Sequence, residues 1–276
     1  MTDNPKIKLL LADVDGTLLT REKVLTERTR HAVMRLRDAG IAFAITSGRP
    51  PRGMAMLIEP LALKTPVAGF NGGIFVRPDL SILESRTLTE EAARQTIAII
   101  EKLGLDVWVY AGNDWFIRKP GAPHVDREAH TVQFAPTVVK EFGDLSAANK
   151  IVGVSDDEAL VKKAEAAVQQ ALGSQVSASR SQSYYLDVTH PLANKGAVVD
   201  YLSRHLAVAR DRIATIGDMP NDTLMFRDVG LSIAMGNASA EVQALAKVVT
   251  DSCDNDGFAK AVERYLLDDT GTRRID

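Results

Sequence analysis

The sequence predicts an α/β fold, a parallel sheet interrupted by a separate α+β segment. Three observations carry this expectation. Short, mostly apolar runs at 9–12, 41–45 and 213–216 each end abruptly in acids, hydroxyls or glycine. Strands buried on both faces of a parallel sheet read this way, and ligands bind at their carboxyl ends. Helical periodicity links the first two runs as a βαβ unit. Between about 86 and 189 the texture changes to helix–strand–strand, given twice, as in a sheet with helices on one face.

The opening run Leu9-Leu10-Leu11-Ala12 leads into Asp13-Val14-Asp15-Gly16-Thr17-Leu18. Residues two apart in an extended segment share a side, so Asp13 and Asp15 can face one small volume. Like charges that close need a cation or a proton between them. A hard dication such as Mg²⁺ suits clustered oxygen ligands. The competing reading is an Asp-rich turn. Thr26 can cap a helix with Ala32, Val33, Leu36 and Ala39 on one face, closed by Gly40. The next strand ends in Thr46-Ser47-Gly48-Arg49-Pro50. Ser47 and the amide after it could hold a phosphate oxygen, with Pro50 starting a helix. A plain capped helix start is the alternative. Residues 67–70 and 74–76 read as hairpin arms around Asn71-Gly72-Gly73. Either this is a hairpin only, or Asn71 also faces a site at the sheet's edge.

Thr87 and Glu90 have capping-box spacing for a helix that stops at Gly104, and Ser155 and Glu158 have it for one ending at Gly173. Strands are expected at 106–111, 115–118, 151–154, 175–179 and 184–188. The stretch 120–136 is expected to be irregular. Its His124, Asp126 and His130 have no spacing that imposes a metal site. With no carboxylate pair at a strand end, this segment reads as a lid.

The parallel texture then returns. Lys195 opens a helix through Val198, Val199, Leu202 and Leu206. That end of a helix favours anions, so a lysine there points to an anionic site in front of it. A solvated surface lysine is the alternative. The run 213–216 enters Gly217-Asp218-Met219-Pro220-Asn221-Asp222, and residues 230–238 repeat strand and glycine turn. An edge strand at 248–250 and a helix at 256–267 close the chain. Acids from two strand ends, hydroxyls from a third and one lysine would converge at one sheet edge. Such a pocket suits phosphoryl transfer, with an aspartate nucleophile and a second acid to move protons.

Composition limits the partners. A net charge of −3 gives no footprint for nucleic acid or an anionic membrane. The single cysteine, Cys253, excludes an internal disulfide, and its acidic neighbours Asp251, Asp254 and Asp256 disfavour a thiolate. No run is long enough to span a bilayer, which excludes a membrane pump, and no secretory leader is visible. A cytoplasmic protein acting on a small phosphorylated metabolite is expected.

The segments 13–18, 46–49, 195–196 and 217–222 resemble, in order, the four motifs of the haloacid dehalogenase-like superfamily. Residues 232–238 and Asn71-Gly72-Gly73 resemble its Cof-type, class IIB phosphatases. The resemblance implies a Rossmann-like core at 1–85 and 190–276, with an inserted α+β cap at 86–189 that sets specificity. It implies Asp13 as nucleophile and Asp15 as general acid/base, with Lys195 neutralising nucleophile and phosphate. Mg²⁺ would be held by Asp13, Asp15 (through its backbone carbonyl) and Asp218. Ser47, with Gly48 and with Thr46 as a rival hydroxyl, would bind the phosphoryl group. Asn221 and Asp222 would support phosphate, metal and lysine, and Arg49 and Asn71 would face the substrate, most simply a sugar phosphate. Two other functions fit the same motifs: a phosphohexomutase-type phosphotransferase, and a non-catalytic sensor of phosphorylated metabolites.

Overall fold

The structure, a computed structural model, describes residues 6–267. The outermost ends of the expected core, 1–5 and 268–276, lie outside the described residues. The chain forms two compact units, one of residues 6–46, 57–66 and 195–267, the other of 47–56 and 67–194. Among the described residues no helix is long and apolar enough to cross a membrane.

The first unit is built on five parallel strands. Their order is Val248–Val249, Leu231–Ala234, Ile213–Gly217, Leu9–Asp13 and Ala42–Thr46. Leu9–Asp13 is buried at every position, as its unbroken apolar run requires. Each of its leucines contributes roughly 1.5–3 kcal/mol by leaving water. The register sets Ala12 beside Ile216 and Asp13 beside Thr46, so the polar ends of three strands come level. The helix Glu27–Asp38 starts where Thr26 Oγ1 accepts from the Thr29 amide, and it buries Ala32, Val33 and Leu36. The closing helix is α-helical over Gly257–Val262 and widens over Glu263–Leu267.

The second unit holds an antiparallel meander, Val67–Gly69, Ile74–Val76 and Ile82–Ser85. It also holds a six-stranded sheet, in the order Ser177–Gln182, Tyr185–Thr189, Ala148–Val154, Asp106–Ala111, Asp114–Ile117 and Thr137–Val138. Helices Glu90–Lys102 and Glu158–Leu172 cover one face of that sheet. Ile97, Ile100, Val161 and Val168 pack there on Val107, Val109 and Ile151. By strand alternation Trp108 and Tyr110 lie on the opposite face, where Trp108, Tyr110, Trp115 and Tyr185 pack ring on ring. The expected repeat of helix–strand–strand is present, and the fold is an α/β parallel-sheet core with an α+β cap.

Three local expectations differ. The first cap helix starts at Glu90 with Thr89 as its cap, not Thr87. The second starts after Asp157, whose carboxylate accepts from the Ala159 and Leu160 amides, while Ser155 only supports the Asp157 amide. The stretch 120–136 is not wholly irregular, because Val125–Val132 is a helix. Its N-terminus lacks the usual cap: His124 is left-handed and its side chain caps nothing, while at the other end left-handed Gln133 donates from Nε2 to the His130 carbonyl at 2.5 Å. Tertiary contacts hold it instead, through buried Val125 and Val132 and a hydrogen bond from Tyr110 Oη to Glu128.

Candidate active site

The carboxyl ends of the central strands gather a buried charge cluster in the first unit. Lys195 is the first residue of its helix and only 2% exposed, so it is not a solvated surface lysine. Its Nζ donates to Asp13 Oδ1 at 2.6 Å and also to Asp222 Oδ1. Asp222 Oδ2 accepts from the Asp218 and Met219 amides at 2.9 and 2.8 Å, which folds the loop after the strand Ile213–Gly217 around its carboxylate. Asp218 accepts from Thr17 Oγ1 at 3.2 Å on one oxygen and from Asn237 Nδ2 at 3.1 Å on the other. Gly16 has φ +81°, and a Cβ there would meet Asp218 Oδ2 at 2.5 Å. Only glycine fits both the backbone and the space.

Carboxylate oxygens of Asp13, Asp218 and Asp222 all lie within 4.8 Å of one another. Burial pushes the Asp13 carboxyl well above its ordinary pKa, opposed by Lys195 and reinforced by Asp222 and Asp218. Burial, then the charge of Asp222, pushes Asp218 up to about 6. Burial works against the Lys195 ammonium, but Asp13 and Asp222 outweigh it and raise its pKa. One ammonium thus faces three carboxylates. A hard dication with oxygen ligands fits this excess of buried negative charge. Asp222 is the most fully engaged of the three, since its two oxygens accept three hydrogen bonds, from Lys195 and two backbone amides, against two on Asp218.

The other expected site residues are placed as follows. Asp15 lies in the turn after the first strand; its Oδ1 pairs with Lys23 at 2.7 Å, and its charge bears on Asp218. Thr46 is fully buried, and its hydroxyl has no partner among the described residues. Asn221 is exposed. In the second unit, Ser47 Oγ accepts from the Arg49 amide at 3.2 Å, and its carbonyl accepts from the Asn71 amide at 2.8 Å. A Cβ at Gly48 would meet Asn71 Nδ2 at 3.6 Å, so Ser47, Gly48, Arg49 and Asn71 form one tight corner. Arg49 is 5% exposed, and its guanidinium donates to the carbonyls of Gly53 and Thr131. Asn71 Oδ1 is buried without a hydrogen-bond partner among the described residues. His124, considered and set aside as a metal ligand, pairs with Asp156 at 2.9 Å. Burial and then Asp254 push the Cys253 thiol up, in line with the expected unreactive cysteine.

Sequence reasoning missed two members of the cluster. Asn237 donates to both Gly16 O at 2.9 Å and Asp218, and accepts from the Cys253 amide at 2.8 Å. It sits in the glycine turn 235–238, which was visible as a turn but not as a support. Thr17, inside the first motif, carried no stated role.

This fold and acid cluster belong to a known class of enzyme. The model of the haloacid dehalogenase-like hydrolases matches residues 10–262, and the chain belongs to that family. The 5-amino-6-(5-phospho-D-ribitylamino)uracil phosphatase YitU of Bacillus subtilis is 27% identical over 271 residues, covering 94% of this chain and 97% of its own. The HMP-PP phosphatase of Cronobacter sakazakii is 28% identical over 233 residues, covering 84% and 85%. A solved haloacid dehalogenase-like hydrolase from Bacteroides thetaiotaomicron superposes with a TM-score of 0.87 at 26% identity, covering 94% of this chain and 99% of that one. With its catalytic aspartate cluster, the chain is a phosphoric monoester hydrolase.

Proposed function

We propose that the chain is a Mg²⁺-dependent, Cof-type, class IIB phosphatase acting on small soluble phosphorylated metabolites, most simply sugar phosphates. The observation that carries this reading is the buried Lys195 ammonium held between Asp13 and Asp222, beside Asp218. The named relatives support it, because their substrates are small phosphorylated metabolites.

In this reading Asp13 attacks phosphorus, and the bond from phosphorus to the leaving oxygen breaks. Asp15 gives that oxygen its proton, so a neutral alcohol departs. The Asp15 carboxylate then takes a proton from water, whose oxygen attacks the aspartyl phosphate, and inorganic phosphate leaves with Asp13 restored. Lys195 opposes the protonation of Asp13 that burial favours and neutralises charge on the phosphoryl oxygens. Asp13 and Asp218, with the Asp15 carbonyl, would hold Mg²⁺, which supplies further charge neutralisation. Asp222 fixes the Asp218 loop and orients Lys195. Thr46, Ser47 and Gly48 are assigned to the phosphoryl group, Asn221 to its support, and Arg49 and Asn71 to the substrate side. Residues 86–189 act as the cap that selects the substrate and excludes water.

The test is phosphate release from a panel of phosphorylated metabolites, with Mg²⁺ and with EDTA. Metal-dependent release from a few related compounds is expected. No release from any of them by folded protein contradicts the assignment.

A further inference from the structure

We propose that Lys23 is a positioning residue that fixes the Asp15 carboxyl for proton transfer. The inference rests on reading Asp15 as the general acid/base.

The segment after Asp15 folds back on itself. The Leu18 and Leu19 amides donate to Val14 O at 3.0 and 2.9 Å, and Asp15 and Leu19 form an isolated bridge. Three more bonds close the loop: Thr20 N to Val24 O at 3.1 Å, Lys23 N to Thr20 O at 2.9 Å, and Val24 N to Thr20 Oγ1 at 3.1 Å. Its corner is Lys23 itself, at φ 62°. A lysine enters the left-handed region only where the surroundings hold it there. The other flank is pinned, because the Arg21 amide donates to Asp254 Oδ1 at 3.0 Å and the Arg21 side chain pairs with the same residue. The result aims Lys23 Nζ at Asp15 Oδ1, 2.7 Å away.

This ion pair is partly exposed, so its worth to stability is small. Its geometry matters more. Asp13, Asp218 and Asp222 already crowd one small volume with negative charge, and a fourth carboxylate is repelled from it. Lys23 supplies an opposite charge outside that group and fixes one oxygen of Asp15. Proton transfer to the leaving oxygen needs hydrogen-bond reach, so a carboxyl free to rotate is a poorer acid catalyst.

The leaving group decides the test. An alkyl phosphate needs a proton on its departing oxygen, whereas p-nitrophenyl phosphate releases a stable anion without one. Values of kcat/KM report the first half-reaction, in which the leaving group departs. They are compared with Mg²⁺ for the full chain and its Lys23→Met, Lys23→Arg and Asp15→Asn variants. The expected result for Lys23→Met is a loss of about tenfold on the alkyl phosphate and less than about twofold on the aryl phosphate, with Lys23→Arg recovering most of it. Asp15→Asn is expected to show the same selectivity, but larger. If Lys23→Met matches the parent on both substrates, or falls equally on both, the positioning role is overturned while a selective Asp15→Asn leaves the reading of Asp15 intact. If Asp15→Asn spares the alkyl phosphate, that reading fails and the role of Lys23 falls with it.

Discussion

Lys195 Nζ lies 2.6 Å from Asp13 Oδ1, and both residues are almost wholly buried. Burial alone would protonate Asp13 and silence it as a nucleophile. The ammonium opposes that, though burial remains the larger effect. Asp13→Asn keeps the shape and removes the proposed nucleophile. Phosphate release is expected to fall at least about a thousandfold, with circular dichroism and melting temperature near those of the parent. Normal activity, or loss of the fold, contradicts the role.

Removing the ammonium acts on stability as well. Lys195→Met leaves Asp13 and Asp222 buried beside each other without their cation. Breaking a buried pair from one side costs roughly 3–5 kcal/mol. Adding Asp222→Asn removes one of the stranded charges, so the double variant is expected to be less destabilised than the sum of the singles. Urea melts of the parent, the two singles and the double measure this, and strict additivity would show that the charges do not interact.

Asn237 supports Asp218 and the Gly16 carbonyl at once. Groups that orient a metal ligand typically change metal affinity by 10–100-fold, so Asn237→Ala is expected to raise the Mg²⁺ concentration for half-maximal activity by about that factor. Activity at saturating Mg²⁺ is expected to stay close to the parent's. An unchanged Mg²⁺ titration would leave Asn237 as a turn residue only.

Glu128 gives a pH dependence away from the carboxylate cluster. Burial raises its carboxyl above the ordinary value, against the opposing effects of Lys150 and the Tyr110 hydrogen bond. The folded state therefore keeps a proton that the unfolded chain has already lost. Stability falls as pH rises from the ordinary glutamate value through the raised folded one. Glu128→Gln does not titrate. As pH rises above the ordinary glutamate value, about 4.3, the parent is expected to lose melting temperature relative to the variant. Parallel curves for the two proteins would contradict this.

Much of the core was legible because its strands state their burial. Leu9–Ala12 is apolar at every position and buried at every position. The acids that follow it are separated by one residue, which led to the expectation that both face one volume. The structure gives them different partners: Asp13 accepts from Lys195 in the buried cluster, and Asp15 pairs with Lys23 in the turn while its charge still bears on Asp218. Strand alternation could not foresee this, because the strand ends at Asp13 and Gly16 turns the chain just after Asp15. Lys195 was legible as an oddity, a cation at a helix start, and its two carboxylate partners explain it. The helix Val125–Val132 was not legible, since no side chain caps its N-terminus and it is held by partners distant in sequence. Capping residues were misjudged by a position or two because Thr87 and Thr89, or Ser155 and Asp157, offer equivalent oxygens locally and only packing chooses between them.

The most direct measurement is rapid-quench peptide mapping by mass spectrometry during turnover with Mg²⁺ and a hydrolysed substrate. The expected result is one phosphoryl group on the peptide that contains Asp13, absent in Asp13→Asn and absent in EDTA. Steady phosphate release with no label on that peptide, or with the label on another residue, would contradict a mechanism through Asp13.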